Sequence, residues 1–458
     1  MHVRGSYCTA AEHSHTHCSQ GPPRHFSHSR NFPRNTLLRI SWTMSHHHIY
    51  SPLQAKGKQE LRLVTLLPSP CKDAPIECTL SIGNLDNQNL RYEALSYEWG
   101  DTNGPRYDIL LDGQSFTVRR NLWHALRCLR TEFSGRTLWI DAICINQEDV
   151  SERNHQVGMM GHIYSFATSV RVWLGEMSDN SREAILLLHE IFESFEEVSR
   201  PSQEAEKKAK ELRKKLAERR AEPVTPPSKF DGFEELPLLP MVADELSEDS
   251  EALLVKERQL AWLSRMAGAS ELAGPWEGIA ALVERTYWNR IWIVQEYLLA
   301  TQIIVQYGWD YMDGVRFDKA ISRIAGLAEL KRPPYLLLPP SIQRSLDRIA
   351  NGPGMNISRS RISTSTGKYL RRTLLQLLET CKKSKSCDPH DRIYAILGLA
   401  DDLPPNTIMV DYERSIFKVK MDVAWWYATN SVFKSDKASI SHVCSLLDEI
   451  FADCDNED

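Results

Sequence analysis

Thr137-Leu138-Trp139-Ile140-Asp141 and Ser169-Val170-Arg171-Val172-Trp173-Leu174-Gly175 are the two apolar runs whose reading decides the fold class. Both are too short for a buried helix and rich in β-branched and aromatic residues, so they read as buried strands. Between them, Asp149-Val150-Ser151-Glu152 has capping-box spacing, and Val157, Met160, Tyr164 and Ala167 follow at helical spacing. After the second run, Asn180 and Glu183 are placed to cap a helix with Ala184, Leu187, Leu188, Ile191 and Phe195 inside. Strand, helix, strand, helix implies parallel pairing through right-handed crossovers. The expected class is α/β, with an open, mostly parallel sheet.

Upstream the period is two: Leu61–Leu67, Glu77–Ile82 and Tyr92–Trp99 read as strands. Arg106–Leu111 and Ser115–Val118 flank Asp112-Gly113, a pair suited to a type I′ hairpin turn. Leu122, Ala125, Leu126, Leu129 and Phe133 then share a helical face, with Asn121 as its cap. Downstream, Glu204–Arg220 is a charged helix with almost no apolar face, followed by prolines and an acidic patch. The stretch 200–250 is expected to be a solvated insertion. Trp276–Glu284 and Trp288–Leu299 have helical periods, and Thr301–Tyr307 reads as a strand. Beyond Gly308 the pattern is mainly helical, with Ser341–Ile349, Arg371–Cys381, a helix opened by Asp388-Pro389-His390-Asp391, and Ile416–Ala428. A polar stretch at 351–367 reads as a link. The expected organisation is a tail at 1–50, an α/β region at 51–310 and a helical region at 311–458.

The chain has 458 residues, 42% apolar and 25% charged, with a net charge of −5. These values exclude wholesale disorder, and the charge balance gives no sign of nucleic-acid binding. No run approaches the length of a membrane span. Ten scattered cysteines without a CxxC pair suit reduced thiols and a cytoplasmic protein. Residues 1–50 hold nine of the 15 histidines, with Glu12 as the only acid. They read as a polar tail rather than a metal site or a transit peptide, or as an extension upstream of an initiator at Met44. The acidic end Asp448–Asp458 reads as a truncated or misassigned terminus.

GxxxxGK[ST], GxGxxG after a strand, HExxH and GxSxG are all absent. What remains is carboxylates and aromatics at strand ends, where open parallel sheets bind ligands. Glu98, Trp99, Gly100 and Asp101 end one strand, and Asp141 ends the next. Core packing for Trp99 and Trp139, and a turn or cap for Asp141, are the competing readings.

Tyr92–Asp101 resembles the opening motif of fungal heterokaryon incompatibility (HET) domains. Leu138–Gln147, continuing to Val172-Trp173-Leu174-Gly175, resembles the second block of that family. Tyr287-Trp288-Asn289-Arg290-Ile291-Trp292-Ile293-Val294-Gln295-Glu296 is similar to the third. The resemblance implies fungal non-self recognition and a domain that triggers programmed cell death, with protein partners or self-association. HET domains have been likened to Toll/interleukin-1 receptor (TIR) domains, so a flavodoxin- or TIR-like sheet is expected. NAD-cleaving TIR domains place a Glu four residues after a Trp, and Trp292 and Glu296 have that spacing. On that likeness Glu296 is the candidate catalytic residue and NAD the candidate substrate, with no metal or other cofactor. Tyr97 and Trp99 would stack on the base, backbone near Gly100 would meet phosphate, and Asp141 and Trp292 would complete the site. The alternatives are a Glu296 that caps or salt-bridges, and a non-catalytic assembly module.

Overall fold

The computed structural model describes residues 49–54, 59–178, 180–199, 261–268, 273–331, 333, 335–362, 372–429 and 437–452. Residues 1–48 of the expected tail, the charged insertion and residues 453–458 of the acidic end lie outside the described residues.

Nine strands form one sheet: β1 Glu60–Leu66, β2 Glu77–Asn84, β3 Glu93–Tyr97, β4 Arg106–Leu111, β5 Gln114–Arg119, β6 Arg136–Trp139, β7 Ser169–Trp173, β8 Ile303–Tyr307 and β9 Asp310–Asp313. Their order is β5-β4-β2-β1-β6-β3-β7-β8-β9. The central block β6-β3-β7-β8 is parallel, as the strand–helix alternation implies. Outside it, β1 runs antiparallel to both β2 and β6, and β4–β5 and β8–β9 are hairpins. Only β2–β4 adds a further parallel pair. The fold is α/β, but the sheet is mixed rather than mostly parallel. The physical reason is connection length. The links β1–β2, β4–β5 and β8–β9 are too short for the crossover of a dozen or more residues that parallel pairing needs. The β4–β5 turn holds Asp112 and Gly113 at φ 50° and 78°, as the Asp-Gly pair requires.

The helix Val150–Phe166 is capped by Asp149, whose carboxylate accepts from the Glu152 N–H at 3.0 Å. Glu152 does not return the bond. It pairs with the buried Arg62, Nη1 to Oε1 at 2.5 Å and Nη2 to Oε2 at 2.9 Å. On the same helix Tyr164 packs edge-on against Trp139 and donates to the Leu95 carbonyl at 3.2 Å. That locks helix to sheet directly beneath the ends of β3 and β6.

Several helices depart from their sequence patterns. The first ends at Leu129 and leaves Phe133 87% exposed. Arg130 stops it by donating to the carbonyls of Cys71, Lys72, Ala74 and Pro75. Trp288–Leu299 is two pieces, a 3₁₀ turn Thr286–Asn289 and a helix Ile293–Leu298. Arg290 breaks them apart because the backbone there pairs with Lys385: Lys385 N donates to Asn289 O at 2.6 Å and Ile291 N to Lys385 O at 3.0 Å. The polar stretch at 351–367 contains a helix, Pro353–Ile362, opened by proline at its first position. It buries Met355 and Ser358 completely. The other α-helices among the described residues of the C-terminal region are Gly314–Glu329, Pro340–Asn351, Leu374–Cys381, Asp391–Leu397, Ile416–Thr429 and Lys437–Phe451.

Candidate functional site

The parallel strands β3, β6 and β7 end on one edge, each in an aromatic residue: Tyr97, Trp139 and Trp173. A cleft of about 510 Å³ lies on this edge, lined by Glu98, Trp99, Gly100, Arg119, Arg120, Asn121, Trp173, Gly175, Arg285, Thr286 and Tyr287 among others. Gly100 sits at φ 77°, in the left-handed region, which turns the chain back over the cleft. Its carbonyl accepts from Arg119 Nη1 at 3.0 Å, and that guanidinium lies 5.3 Å over the Trp99 ring. Asn121 does not cap its helix. Arg119 holds the N-cap position without a side-chain bond. The Asn121 amide instead donates to Glu98 O at 2.6 Å and accepts from Trp173 Nε1 at 2.8 Å, tying the β3 and β7 ends together.

Behind this wall, Asp141 Oδ2 accepts from Trp99 Nε1 at 2.7 Å, and its other oxygen accepts from the Ala142 N–H at 2.7 Å. Tyr97 also donates to this carboxylate. Burial raises the Asp141 pKa, against the pull of Arg290 and these donors. Burial likewise pushes the Tyr97 phenol well up, so it stays a donor.

Glu296 is 1% exposed. Ser96 Oγ donates to it, and Ser96 meets the Tyr287 hydroxyl at 2.5 Å. Arg290 approaches both its oxygens at 3.4 Å. Burial raises the Glu296 pKa, Arg290 and Ser96 oppose that, and Asp141 adds to it. Burial works against the Arg290 cation too, yet Glu296, Tyr287 and Asp141 together raise its pKa. Arg290 is thus a permanent cation between two carboxylates, a preorganised cluster in a low-dielectric site.

Of the residues singled out from sequence, Tyr97, Trp99 and Asp141 form one hydrogen-bonded group, and Glu296 is coupled to it electrostatically through Arg290. Trp99 and Gly100 line the cleft, whereas Tyr97, Asp141 and Glu296 are not among its lining residues. Trp292 turns the other way and hydrogen-bonds Asp391 of the C-terminal region. Its backbone still accepts from the Glu296 N–H at 3.2 Å, one helical turn on. Sequence reasoning missed Ser96, Tyr287 and Arg290. All three lie inside the quoted blocks, and Arg290, a lone cation within an apolar run, was the available signal. Among the described residues, no group of three or more His, Cys, Asp or Glu could hold a metal ion. No helix among them is long and apolar enough to cross a membrane.

The family model described as Heterokaryon incompatibility protein (HET) matches residues 92–296. The chain is also similar to "Heterokaryon incompatibility protein 6, OR allele" of Neurospora crassa, at 26% identity over 389 residues. That match covers 78% of this chain and 49% of the relative, so the chain spans about half the length of the curated relative it matches. No solved structure matches.

Proposed function

We propose, from the match of residues 92–296 to the heterokaryon incompatibility (HET) family model, that this chain acts in the fungal cytoplasm as an effector of heterokaryon incompatibility, triggering cell death by cleaving NAD. The observation that carries the reading is the cleft on the carboxyl edge. It offers an indole face at Trp99 and three guanidinium groups, Arg119, Arg120 and Arg285. Those are the partners that a base and a diphosphate require. Water attacks the anomeric carbon of the nicotinamide ribose. The bond to the ring nitrogen breaks, its electrons leave with neutral nicotinamide, and a proton is released with ADP-ribose. Positive charge develops on the ribose in the transition state, and a carboxylate stabilises it there more than in the ground state. Tyr287 separates Glu296 from the cleft, since it lines the cleft and meets Ser96, the partner of Glu296. On this reading Tyr287 is the movable plug, and its displacement brings Glu296 to the ribose.

A second reading, an assembly module without catalysis, is favoured by the burial of Glu296 and its pairing with Arg290. The test is NAD turnover by purified, self-assembled protein, wild type beside Glu296→Gln, with folding checked by circular dichroism. A catalytic Glu296 predicts a loss of about 2–4 kcal/mol of transition-state stabilisation, roughly 30- to 1,000-fold in rate. Equal turnover in both removes Glu296 from catalysis. No turnover in either, under conditions that support assembly, selects the module.

A further inference from the structure

A second concavity, of about 260 Å³, lies between the Pro353–Ile362 and Leu374–Cys381 helices and the Thr286–Leu298 segment. Its lining includes four cations, Arg290, Arg372, Lys382 and Lys383, against one acid, Glu379. The acid is already engaged, with His442 Nε2 at 2.8 Å. Of the cations, Arg290 pairs with Glu296 and Lys382 with Glu449 at 2.9 Å. The side chains of Arg372 and Lys383 have no carboxylate partner among the described residues, although the Arg372 backbone N–H donates to Asp401 Oδ2 at 2.9 Å.

Lysines after the last turn of the Leu374–Cys381 helix complement its dipole, and that alone explains Lys382 and Lys383. It does not explain Arg372. This residue precedes the same helix, the end where the dipole disfavours a cation. Its Nη2 reaches across to the Ser360 carbonyl at 3.2 Å, which brings the guanidinium to the pocket wall with N–H groups that no other described residue takes up. Cations from both ends of one helix therefore converge on a single hollow. The volume falls below the ~300–1,000 Å³ of sites for drug-sized ligands, too small for a dinucleotide and suited to a compact anion.

We propose that this pocket binds a small polyphosphate anion through Arg372, Lys383 and Lys382. The site is separate from the cleft on the carboxyl edge, and the inference does not depend on NAD cleavage. The pocket wall includes Asn289, Arg290, Ile293, Val294 and Leu298, the segment that carries Glu296. Occupancy therefore stiffens the helix on which Glu296 is mounted.

The test is calorimetric titration of the full chain with pyrophosphate and, separately, inositol hexakisphosphate, at low and physiological salt. Arg372→Ala and Lys383→Gln are compared with Lys72→Ala, a distant surface control. The expected result is saturable binding that each pocket variant weakens about tenfold or more and the control leaves unchanged. Hydrogen exchange should slow across 289–298 on binding. If pyrophosphate binds as the larger anion does, the site reads phosphate groups alone; if only the hexakisphosphate binds, it reads their spacing. No saturable binding of either anion, or equal binding by wild type and both pocket variants, overturns the proposal. Lys383→Gln alters one exposed side chain, so its unliganded melting midpoint should match wild type and keep the comparison interpretable.

Discussion

Asp318 is 2% exposed, and burial raises its carboxyl pKa to about 7 although Ser358 and Tyr297 donate to it. Asp391, which receives the Tyr412 hydroxyl at 2.7 Å and the Trp292 side chain, is raised to about 6 for the same reason. Both values exceed those of the unfolded chain, so the native state keeps protons that the unfolded state has lost. Their stabilising contribution is full below about pH 4 and is lost as pH rises through 6 and then 7. Denaturant midpoints should therefore fall between about pH 5 and about pH 8, and Asp318→Asn should flatten that fall. An unchanged slope in the variant would remove Asp318 as its source. At Arg62 the expectation is different in kind. Glu152→Ala leaves a guanidinium at 2% exposure without its carboxylate, a loss of about 3–5 kcal/mol readable by urea titration. Trp99, Gly100 and Asp141 were legible from sequence because a strand that ends in an aromatic must be followed by loop residues at the sheet edge. The burial of Glu296 was not. Its partner Arg290 lies six residues away, a spacing that does not share a helical face, and the contact exists only because the helix is broken between them.

Among the elements, the Ala273–Val283 helix shows how closely the chain is packed beside the site. An added Cβ at Gly278 would lie 2.5 Å from the Asn180 carbonyl oxygen and 2.9 Å from the Ala184 Cβ. Gly278→Ala should therefore cost about 1–3 kcal/mol despite alanine's better helix propensity, and thermal melting decides the sign. A stabilised variant would mean that the two helices slide apart at no cost. Element existence was readable wherever local pattern governs. The Asp149 cap, the Asp-Gly hairpin and the parallel core follow from a few neighbouring residues, whereas the caps expected at Asn121 and Asp388 do not form. Where a distant segment intervenes, pattern fails. Lys385 splits the helix expected at 288–299, and the carbonyls of residues 71–75 end the first helix before Phe133. Of the antiparallel flanks, the pairings of β1 with β2 and β6 and of β8 with β9 were missed for a related reason: alternation of apolar residues marks a strand but not its partner.

On the scale of the whole molecule, the Thr286–Leu298 segment is gripped from two sides. Ser96 holds it toward the sheet. On the other side lie Lys385, Asp391 and the Tyr394 carbonyl, which accepts from Gln295 Nε2 at 3.4 Å, and Arg361 Nη1 donates to the Tyr297 carbonyl at 2.5 Å. Ending the chain after Arg372 removes the buried side chains Leu377, Leu378, Ile393, Tyr394 and Ile396 along with the contacts of Lys385, Asp391 and Tyr394, and keeps that of Arg361. The truncated protein should melt several degrees lower and exchange amides fast across 286–298, whereas an unchanged midpoint would show that the helical region is dispensable to the sheet. The contact of Ser96 with Glu296 spans 200 residues of sequence, and that with Tyr287 spans 191. Closing so long a loop is slow, and during synthesis it cannot begin until the second partner has left the ribosome. Every nascent fragment shorter than that lacks the cluster altogether. A cell translating this protein therefore never holds the assembled cluster on a short fragment: it can close only once the chain has been made as far as residue 296 of 458.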